Sequence, residues 1–553
     1  MKHLLWKTIV VGVLFAAATG SMLLRAQQAV PDLILTNGKI ITVDERFTIA
    51  QAVAIKGDRF VAVGGNQEIG GLAGPNTKRI DLRGRAAVPG LIDNHMHVMR
   101  AGETWTEEVR LDGIESRKQA VDMLRAKVRA ALPSQWITTL GGWTHHQFAD
   151  DKKAFSRQEL DEIAPNNPMA LQEAYYRIYL NSRAIQALAL DRMTDTWIGR
   201  DTGGKPTGII EQQGTRIIAA KFPAPSKQTF EASTLAMIKD FNRAGLTAAG
   251  SAGCPTDQME VYRRLHRQGQ LNLRVFCIVS FPAGDPKQVD TILPQIAQLK
   301  LFQGDDYLDT TMYGEQVYLP VNDNMLDIKP DAKPEDWVQL GRVLREVAKA
   351  RLPLHVHTTL TDSIEGFIDT IEKVDKEYPI RNLRWTLIHL DQITASQIER
   401  MKKLRMYTAV HTRPTIMGGI FNEIHGERSY SMPPLKMVQD SGITWGFGTD
   451  TTVVNQFRPF TTLYWAVTGK MVGGTKVLRQ TISREDALIA HTRKNAYFHF
   501  QENNLGSIQP GKLADMVVLD RDYLTVPADQ IKDIKPTMTM VGGKIVYDAA
   551  EAR

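Results

Sequence analysis

The chain has 553 residues, which is enough for more than one domain and for a large buried core. Its composition, 43% hydrophobic and 23% charged, is typical of a globular protein and excludes a largely disordered chain. The formal net charge is +6, and Lys2, Lys7 and Arg25 contribute three of these charges within the first 26 residues. The excess that remains is small and forms no basic stripe, so the sequence gives no reason to expect nucleic-acid binding.

The first 26 residues resemble a targeting segment. Lys2 and Lys7 form a basic start, Thr8–Ala18 is an apolar run, and small residues follow it. We expect cleavage of this signal peptide after Ala26 and export of the mature chain, to the periplasm or outside the cell. The alternative is an N-terminal membrane anchor that stays uncleaved, because the uncharged stretch up to Leu24 is at the lower edge of a membrane span.

Both ends of the remaining chain are rich in short, punctuated strands. The predicted strands are Leu33–Thr36, Lys39–Val43, Ala52–Ile55 and Arg59–Val63 near the start, and Ala514–Asp520, Met538–Val541 and Ile545–Tyr547 near the end. We therefore predict one small β-sandwich-like domain that is built from residues 27–86 and 503–553.

Residues 87–502 alternate strands with helices, the pattern of a (β/α)8 barrel. The predicted barrel strands are Ala86–Ile92, Leu246–Gly250, Leu273–Ser280, Tyr307–Tyr313, Leu352–Val356, Leu383–Ile388, Met406–Val410 and Ile443–Gly448. The predicted helices are Arg117–Ala131, Thr229–Ala244, Thr256–Gln268, Lys287–Leu299, Pro334–Ala350, Asp362–Tyr378 and Ser483–His491. Residues 98–245 are too many for one βα unit, so we expect an insertion there that could cover the active face.

The chain contains two cysteines, Cys254 and Cys277, each in an apolar, strand-like context. Two cysteines do not make a disulfide framework. We expect both to be buried free thiols, although an exported protein could pair them.

Polar side chains follow several of the predicted barrel strands. His95 and His97 end the first strand, where residues two apart point to the same side and can aim two imidazoles at one point. The later strands end in His355 and His357, in His389 and Asp391, in His411 and Arg413, and in Asp450. Active residues of such barrels lie at the carboxyl ends of the strands, and imidazoles with a carboxylate suit zinc or a similar metal.

The motifs that carry these residues resemble those of the amidohydrolase superfamily, and most closely its YtcJ-like, family 3 type. They are PGLIDNHMH, the strand LIHLD and the closing FGTD, with support from LTNGKIITVDE near the start and GSIQPGKLADMVVLD near the end. The likeness covers nearly the whole chain after the targeting segment. It is specific for the superfamily and not for a substrate.

The resemblance implies a set of metal ligands. These are His95, His97, His357, His389 and Asp450. The first two histidines would hold one metal with Asp450, and the other two would hold a second metal or share a single one. His355 matches no ligand position, and we expect it to pack or to support a ligand.

One departure from the family pattern affects the number of metals. Many relatives carry a lysine, often carboxylated, that ends the fourth strand and bridges two metals, whereas this strand reads LDTTMYGE. Glu315 or Asp309 could supply the carboxylate, and Glu315 is preferred because it follows a glycine at the strand end. One or two divalent metals per chain therefore remain alternatives.

The resemblance also implies an activity. The expected protein is a metal-dependent hydrolase of a carbon–nitrogen bond other than a peptide bond, such as an amide, a carbamate or a cyclic amide. Asp450 would act as general base and then acid, with a metal or His389 polarising the carbonyl. There are two alternatives: a deaminase of the same fold, and a binding protein that has lost turnover.

Substrate contacts are expected from two regions. Arg413 and His411 follow the seventh strand, and Arg413 could pair with a substrate carboxylate or brace a loop acid. Trp143 and His145 belong to the insertion, where they could form a lid or pocket wall. The expected partner is a small molecule, and a homo-oligomer is possible for a barrel of this size.

Overall fold

The computed structural model describes residues 30–551, so the predicted signal peptide lies outside the described residues. In chain order the strands are β1 (Leu33–Thr36), β2 (Lys39–Ile41), β3 (Ile49–Ala50), β4 (Ala52–Lys56), β5 (Arg59–Gly64), β6 (Lys78–Asp81), β7 (Ala86–Pro89), β8 (Leu91–Met96), β9 (Ile137–Leu140), β10 (Met169–Glu173), β11 (Arg177–Leu180), β12 (Ile198–Arg200), β13 (Pro206–Glu211), β14 (Leu246–Ala252), β15 (Arg274–Val279), β16 (Leu308–Glu315), β17 (Leu354–Thr358), β18 (Thr386–His389), β19 (Tyr407–His411), β20 (Trp445–Gly448), β21 (Met516–Leu519), β22 (Pro536–Val541) and β23 (Lys544–Asp548).

Helices follow most of the barrel strands. Those of eight or more residues are Arg117–Ala130, Phe230–Arg243, Thr256–Arg267, Pro286–Gln298, Pro334–Lys349, Thr361–Glu377, Ala395–Lys403, Pro414–His425 and Pro459–Thr468. Shorter ones are Asn66–Gly70, Val98–Thr104, Arg157–Ile163, Ser182–Ala187, Thr215–Ala219, Leu435–Asp440, Arg484–Ala490 and Arg493–Phe498. Across residues 30–551, no helix combines the length and the apolar character that a membrane crossing needs.

The central sheet is a barrel of eight parallel strands, which confirms the predicted (β/α)8 fold. Strand β8 pairs with β14, and the pairing continues in sequence order to β20. The first and last strands then meet, since the Asp450 N–H donates to the His95 carbonyl at 2.9 Å and the His97 N–H donates to the Thr451 carbonyl at 2.7 Å. These two bonds place the ends of β8 and β20 side by side, where the predicted site residues lie.

Both ends of the chain contribute to one further sheet, as the predicted fold class requires. Its order is β23-β22-β21-β7-β2-β3, and a second sheet, β5-β4-β1-β6, packs beside it. The prediction of a single strand over Ala86–Ile92 is therefore wrong. It divides at Gly90, where the chain leaves this terminal sheet as β7 and enters the barrel as β8.

The insertion forms a five-stranded sheet of its own, in the order β12-β13-β11-β10-β9. Apolar side chains such as Trp143, Phe148 and Phe155 fill its core. It is fastened to the barrel at Thr144, whose hydroxyl donates to the Ile416 carbonyl at 2.5 Å.

The two cysteines form a disulfide, so the expectation of two free thiols is wrong. Cys277 lies on β15 and Cys254 comes just after β14, at a Cα–Cα distance of 6.1 Å. The two strands are parallel neighbours that pair Ser251 with Cys277. The two cysteines are 23 residues apart along the chain, and the helix Thr256–Arg267 lies between them.

A buried ion pair joins the barrel to the terminal sheet. Arg274, on β15, donates from Nε and Nη2 to the two carboxylate oxygens of Asp515, both at 2.9 Å. Neither side chain is appreciably exposed. The pair is bidentate and fixes the orientation of the two parts of the structure.

Candidate metal centre

A cavity of about 450 Å³ opens at the carboxyl ends of the barrel strands. Its wall includes most of the side chains that the sequence singled out, namely His97, Glu315, His357, His389, Arg413 and Asp450. His95 lies beneath them and is fully buried. The barrel thus brings together polar residues that are up to 355 positions apart along the chain.

Asp450 and the histidines of strand one form the first half of the centre. The Nε2 atom of His97 lies 3.1 Å from Asp450 Oδ1, and that of His95 lies 3.6 Å from the same oxygen. The other carboxylate oxygen, Oδ2, lies 3.8 Å from His389 Nδ1 and 3.8 Å from Arg413 Nε. Asp450 therefore stands between the imidazoles and a guanidinium group.

Glu315 lies between the two pairs of histidines. Its Oε2 atom is 3.7 Å from His95 Nε2 and 3.9 Å from His97 Nε2. Its Oε1 atom is 3.3 Å from His389 Nε2 and 3.4 Å from His357 Nδ1. Each carboxylate oxygen thus faces one pair, which is the position a bridging ligand would occupy.

Asp309, the other acid considered from the sequence, lies elsewhere. It is near the opposite end of β16, where its carboxylate accepts backbone N–H bonds from Gly304 and Thr310. Gly314, the residue before Glu315, allows β16 to lie close enough to β17 to bring Glu315 to the centre. A Cβ on Gly314 would come within 1.9 Å of the His355 carbonyl oxygen, so only glycine allows the two strands to approach this closely.

Each of the four imidazoles has one ring nitrogen held by a neighbouring group. The anchoring contacts are His95 Nδ1 to His355 Nε2 (3.0 Å), His97 Nδ1 to the Ala252 carbonyl (3.1 Å), His357 Nε2 to Asp323 Oδ1 (2.9 Å) and His389 Nδ1 to His411 Nδ1. The other nitrogen of each ring faces Glu315 or Asp450. This arrangement orients metal-binding histidines in proteins and fixes which nitrogen is free.

The chemistry of this donor set fits a divalent metal. His95 Nε2 and His357 Nδ1 are buried and have no hydrogen-bond partner among residues 30–551. Buried polar atoms rarely remain unpaired, so an unpaired imidazole nitrogen beside carboxylates points to a cation as its partner. Ligand atoms of His95, His97 and Glu315, and those of Glu315, His357 and His389, lie within 4.8 Å of one another.

The buried acids of the centre are ionised. Burial alone would raise the pKa of Glu315, but the charge of His95 and the adjacent His357 imidazole lower this pKa to about 2. Burial would also raise the pKa of Asp450, but the adjacent His95 and His97 imidazoles and the charge of Arg413 hold this pKa well below its ordinary value. Burial would lower the pKa of His357, yet its hydrogen bond to Asp323 and the adjacent Glu315 carboxylate raise the pKa to about 10. Both acids are therefore ionised within the buried centre.

The backbone at two of these residues is in an unusual conformation. His389 has φ of 72° and Asp450 has φ of 63°, in the left-handed region that non-glycine residues rarely adopt. His389 ends β18, and Asp450 lies two residues after the end of β20. Such strain persists where the surrounding structure imposes it, and it is concentrated at functional sites.

The predicted substrate-contacting residues are divided between the cavity and its surroundings. Arg413 lines the cavity, and His411 lies behind His389. Trp143 is in the core of the insertion and His145 is bound to Glu173. Among the described residues 30–551, neither Trp143 nor His145 lines the cavity.

Several residues of the site were missed by sequence reasoning. Asp323 anchors His357 and also accepts the backbone N–H groups of Thr359 and Leu360. Arg100 and Arg216 line the cavity, and both contact Tyr175. These residues lie on loops and short helices, where the sequence has no strand-end pattern to reveal them.

The chain is similar in sequence to a known protein family and to several known proteins. A family model described as an amidohydrolase family matches residues 78–547. An N-substituted formamide deformylase of Arthrobacter pascens is 24% identical over 94% of this chain and 98% of that protein. The putative amidohydrolase YtcJ of Bacillus subtilis is 24% identical over 86% of this chain and 91% of its own length.

Solved structures agree on the fold. A metal-dependent hydrolase of Pyrococcus furiosus, whose function is uncharacterised, superposes with a TM-score of 0.62 at 20% identity, over 89% of this chain and 100% of that one. A triazine hydrolase from an Arthrobacter superposes with a TM-score of 0.53 at 16% identity, over 94% and 97% of the two chains.

Proposed function

The chain belongs to the amidohydrolase family, and from that premise we propose that it is a metal-dependent hydrolase of carbon–nitrogen bonds other than peptide bonds. The observation that carries the proposal is the convergence of four anchored imidazoles on two ionised carboxylates in one cavity. The relative from Arthrobacter pascens, matched over nearly its whole length, is named an N-substituted formamide deformylase. This name supports a carbon–nitrogen bond as the bond that is hydrolysed.

The proposed ligands form two groups that share one carboxylate. His95 and His97 would hold one metal with Asp450, while His357 and His389 would hold a second. Glu315 would bridge them in place of the lysine that many relatives carry. Imidazole and carboxylate donors suit zinc, which would supply Lewis-acid chemistry and make a water molecule acidic near neutral pH.

Asp450 would carry the proton in the proposed reaction. Its carboxylate is ionised and faces the cavity, so it can accept a proton from the attacking water. It would then deliver that proton to the leaving nitrogen as the carbon–nitrogen bond breaks. The products are a carboxylic acid and a free amine, and all atoms of the water are accounted for.

The wall of the cavity supports a proposal about the substrate. Arg100 donates to the Tyr175 hydroxyl at 3.1 Å, and the Arg216 guanidinium lies 4.5 Å from the centre of the same ring. Leu319 and Ile328 also line the cavity and are about two-fifths exposed. Arginines beside an apolar wall suit a substrate with a carboxylate and an apolar group, such as an N-acylated amino acid.

A substrate panel tests the reaction class. Zinc-loaded protein would be incubated with N-formyl and N-acyl amides, carbamates, cyclic amides and aminopurines, while free amine and ammonia are measured separately. We expect amine release from amides. Release of ammonia from a ring would instead support the deaminase alternative, and no turnover with any compound would contradict the proposal.

The arginines are tested with a pair of substrates that differ in charge. For Arg216→Met, kcat/KM should fall about 10- to 100-fold for a carboxylate substrate and change little for its neutral amide, since a hydrogen bond to a charged group contributes about 1.5–3 kcal/mol. Arg263→Met, on a surface helix, is the control. An equal effect on both substrates would contradict the proposed contact with a substrate carboxylate. It would not affect the proposal that the protein is a hydrolase.

We also propose that the chain is exported. The disulfide between Cys254 and Cys277 supports this, because disulfides persist in oxidising compartments. Cell fractionation and the mass of the mature N-terminus test it. A reduced, full-length chain in the cytosol would contradict the proposal.

A further inference from the structure

A second cluster of metal-binding side chains lies outside the cavity wall. His145 and His146 come from the turn after β9, and Glu423 comes from the helix Pro414–His425. One nitrogen of each histidine and one oxygen of Glu423 lie within 4.8 Å of one another. The cluster therefore joins the insertion to the barrel.

His145 is oriented by a buried carboxylate. Its Nδ1 atom lies 2.6 Å from Glu173 Oε1, and the Tyr179 hydroxyl donates to the other oxygen of Glu173 at 2.6 Å. Glu173 itself is fully buried. Nδ1 is thus committed and Nε2 is the nitrogen that remains, the same arrangement that fixes histidine ligands at metal sites.

His146 offers an unpaired nitrogen. Its Nε2 atom is 3.0 Å from Glu423 Oε1, but it is buried and makes no hydrogen bond to any residue in the described part of the chain. The other oxygen of Glu423 accepts the Tyr176 hydroxyl at 3.1 Å. A close approach of nitrogen and oxygen without a hydrogen bond suits two ligands of one cation.

The helix that carries Glu423 is shaped around the His146 ring. A Cβ on Gly419 would come within 2.3 Å of this ring, so the imidazole fits only because the residue is glycine. Glycine within a helix costs about 1 kcal/mol relative to alanine. Glu423 follows one turn later and lies on the same face of the helix.

We propose that His145, His146 and Glu423 form a second divalent-cation site, separate from the catalytic centre. Two imidazoles and a carboxylate suit zinc, and the half-exposed Glu423 leaves a coordination position open to water. The cation fastens the insertion to the barrel helix that begins just after Arg413. It thereby steadies the segment after Glu173, whose Tyr175 lines the substrate cavity.

Zinc-edge anomalous diffraction from crystals of the whole protein in equilibrium with zinc tests this site directly. We expect an anomalous peak about 2.0–2.2 Å from the ligand atoms of His145, His146 and Glu423. Crystals that show zinc at the catalytic centre, or nowhere, but none at this cluster would overturn the proposal. His146 and Glu423 would then form an ordinary ion pair, with His145 beside them.

Zinc counting on variants gives a second, independent readout. Glu423→Gln and His146→Asn should each bind about one zinc fewer per chain than the parent protein. Glu427→Gln, an exposed acid paired with Arg479, should bind as many as the parent. Glu423 is half exposed, so its variant is expected to fold. An unchanged zinc count in both test variants would refute the site.

Discussion

Asp450 is the residue on which the proposed proton transfers depend. Replacing it with asparagine keeps its size but removes the base, so we expect turnover to fall by a factor of about 10²–10⁴. Measurement of kcat, with circular dichroism to check the fold, tests this. Asp529→Asn, which changes an exposed acid paired with Lys470, is the control. A folded Asp450→Asn variant with normal turnover would exclude this role.

Asp323 is expected to act through His357. Its carboxylate holds His357 Nε2, so Asp323→Asn should weaken metal binding about 10- to 100-fold without removing a ligand. Competition with a zinc chelator measures the affinity. Asp305→Asn is a matched control, because Asp305 also binds a histidine, His266, and accepts backbone N–H groups. Equal affinity in the two variants would contradict the role of Asp323.

Single residues were predictable where they follow a repeating pattern. The structure gathers the residues at the carboxyl ends of barrel strands or just beyond them, namely His95, His97, His357, His389 and Asp450. Glu315 could be preferred over Asp309 only because of its position at the strand end. Asp323 and Arg100 had no such signal, since the contact of each depends on how a loop or a short helix folds over the barrel.

At the scale of elements, strands were predicted well where each element belongs to one sheet. Strand β8 shows the limit, because its residues continue directly from β7 and only the three-dimensional sheets reveal the division at Gly90. The helix Pro414–His425 was not predicted. Its adjacent Gly418 and Gly419 weaken helical propensity, and the packing against His146 that compensates for Gly419 cannot be read from the sequence.

The junction between the barrel and the terminal sheet should be sensitive to charge. Asp515→Asn leaves Arg274 buried without its charged partner, so we expect a loss of about 3–5 kcal/mol in the free energy of unfolding. Thermal unfolding compared with Glu377→Gln, which disrupts the surface pair with Arg345, tests this, because a surface pair contributes about 0–1 kcal/mol. Similar unfolding temperatures for the two variants would contradict the prediction.

For the whole molecule, the architecture explains how distant parts of the chain share one centre. The barrel collects the ligands, the bonds between β8 and β20 bring Asp450 to the strand-one histidines, and the insertion adds Tyr175 and Arg216 to the cavity wall. The fold class could be predicted from alternation and from the resemblance together. The predicted barrel already makes the strands of Cys254 and Cys277 neighbours, but whether the two side chains meet depends on the register of those strands.

Metal depletion and restoration is the measurement that tests the central claim most directly. The full mature protein would be stripped with a chelator and titrated with zinc while amide hydrolysis and bound metal are followed together. We predict no turnover without metal, recovery as zinc binds, and a weaker, less active complex for Glu315→Gln than for the control Glu427→Gln. Metal-free protein that retains full turnover would contradict the account.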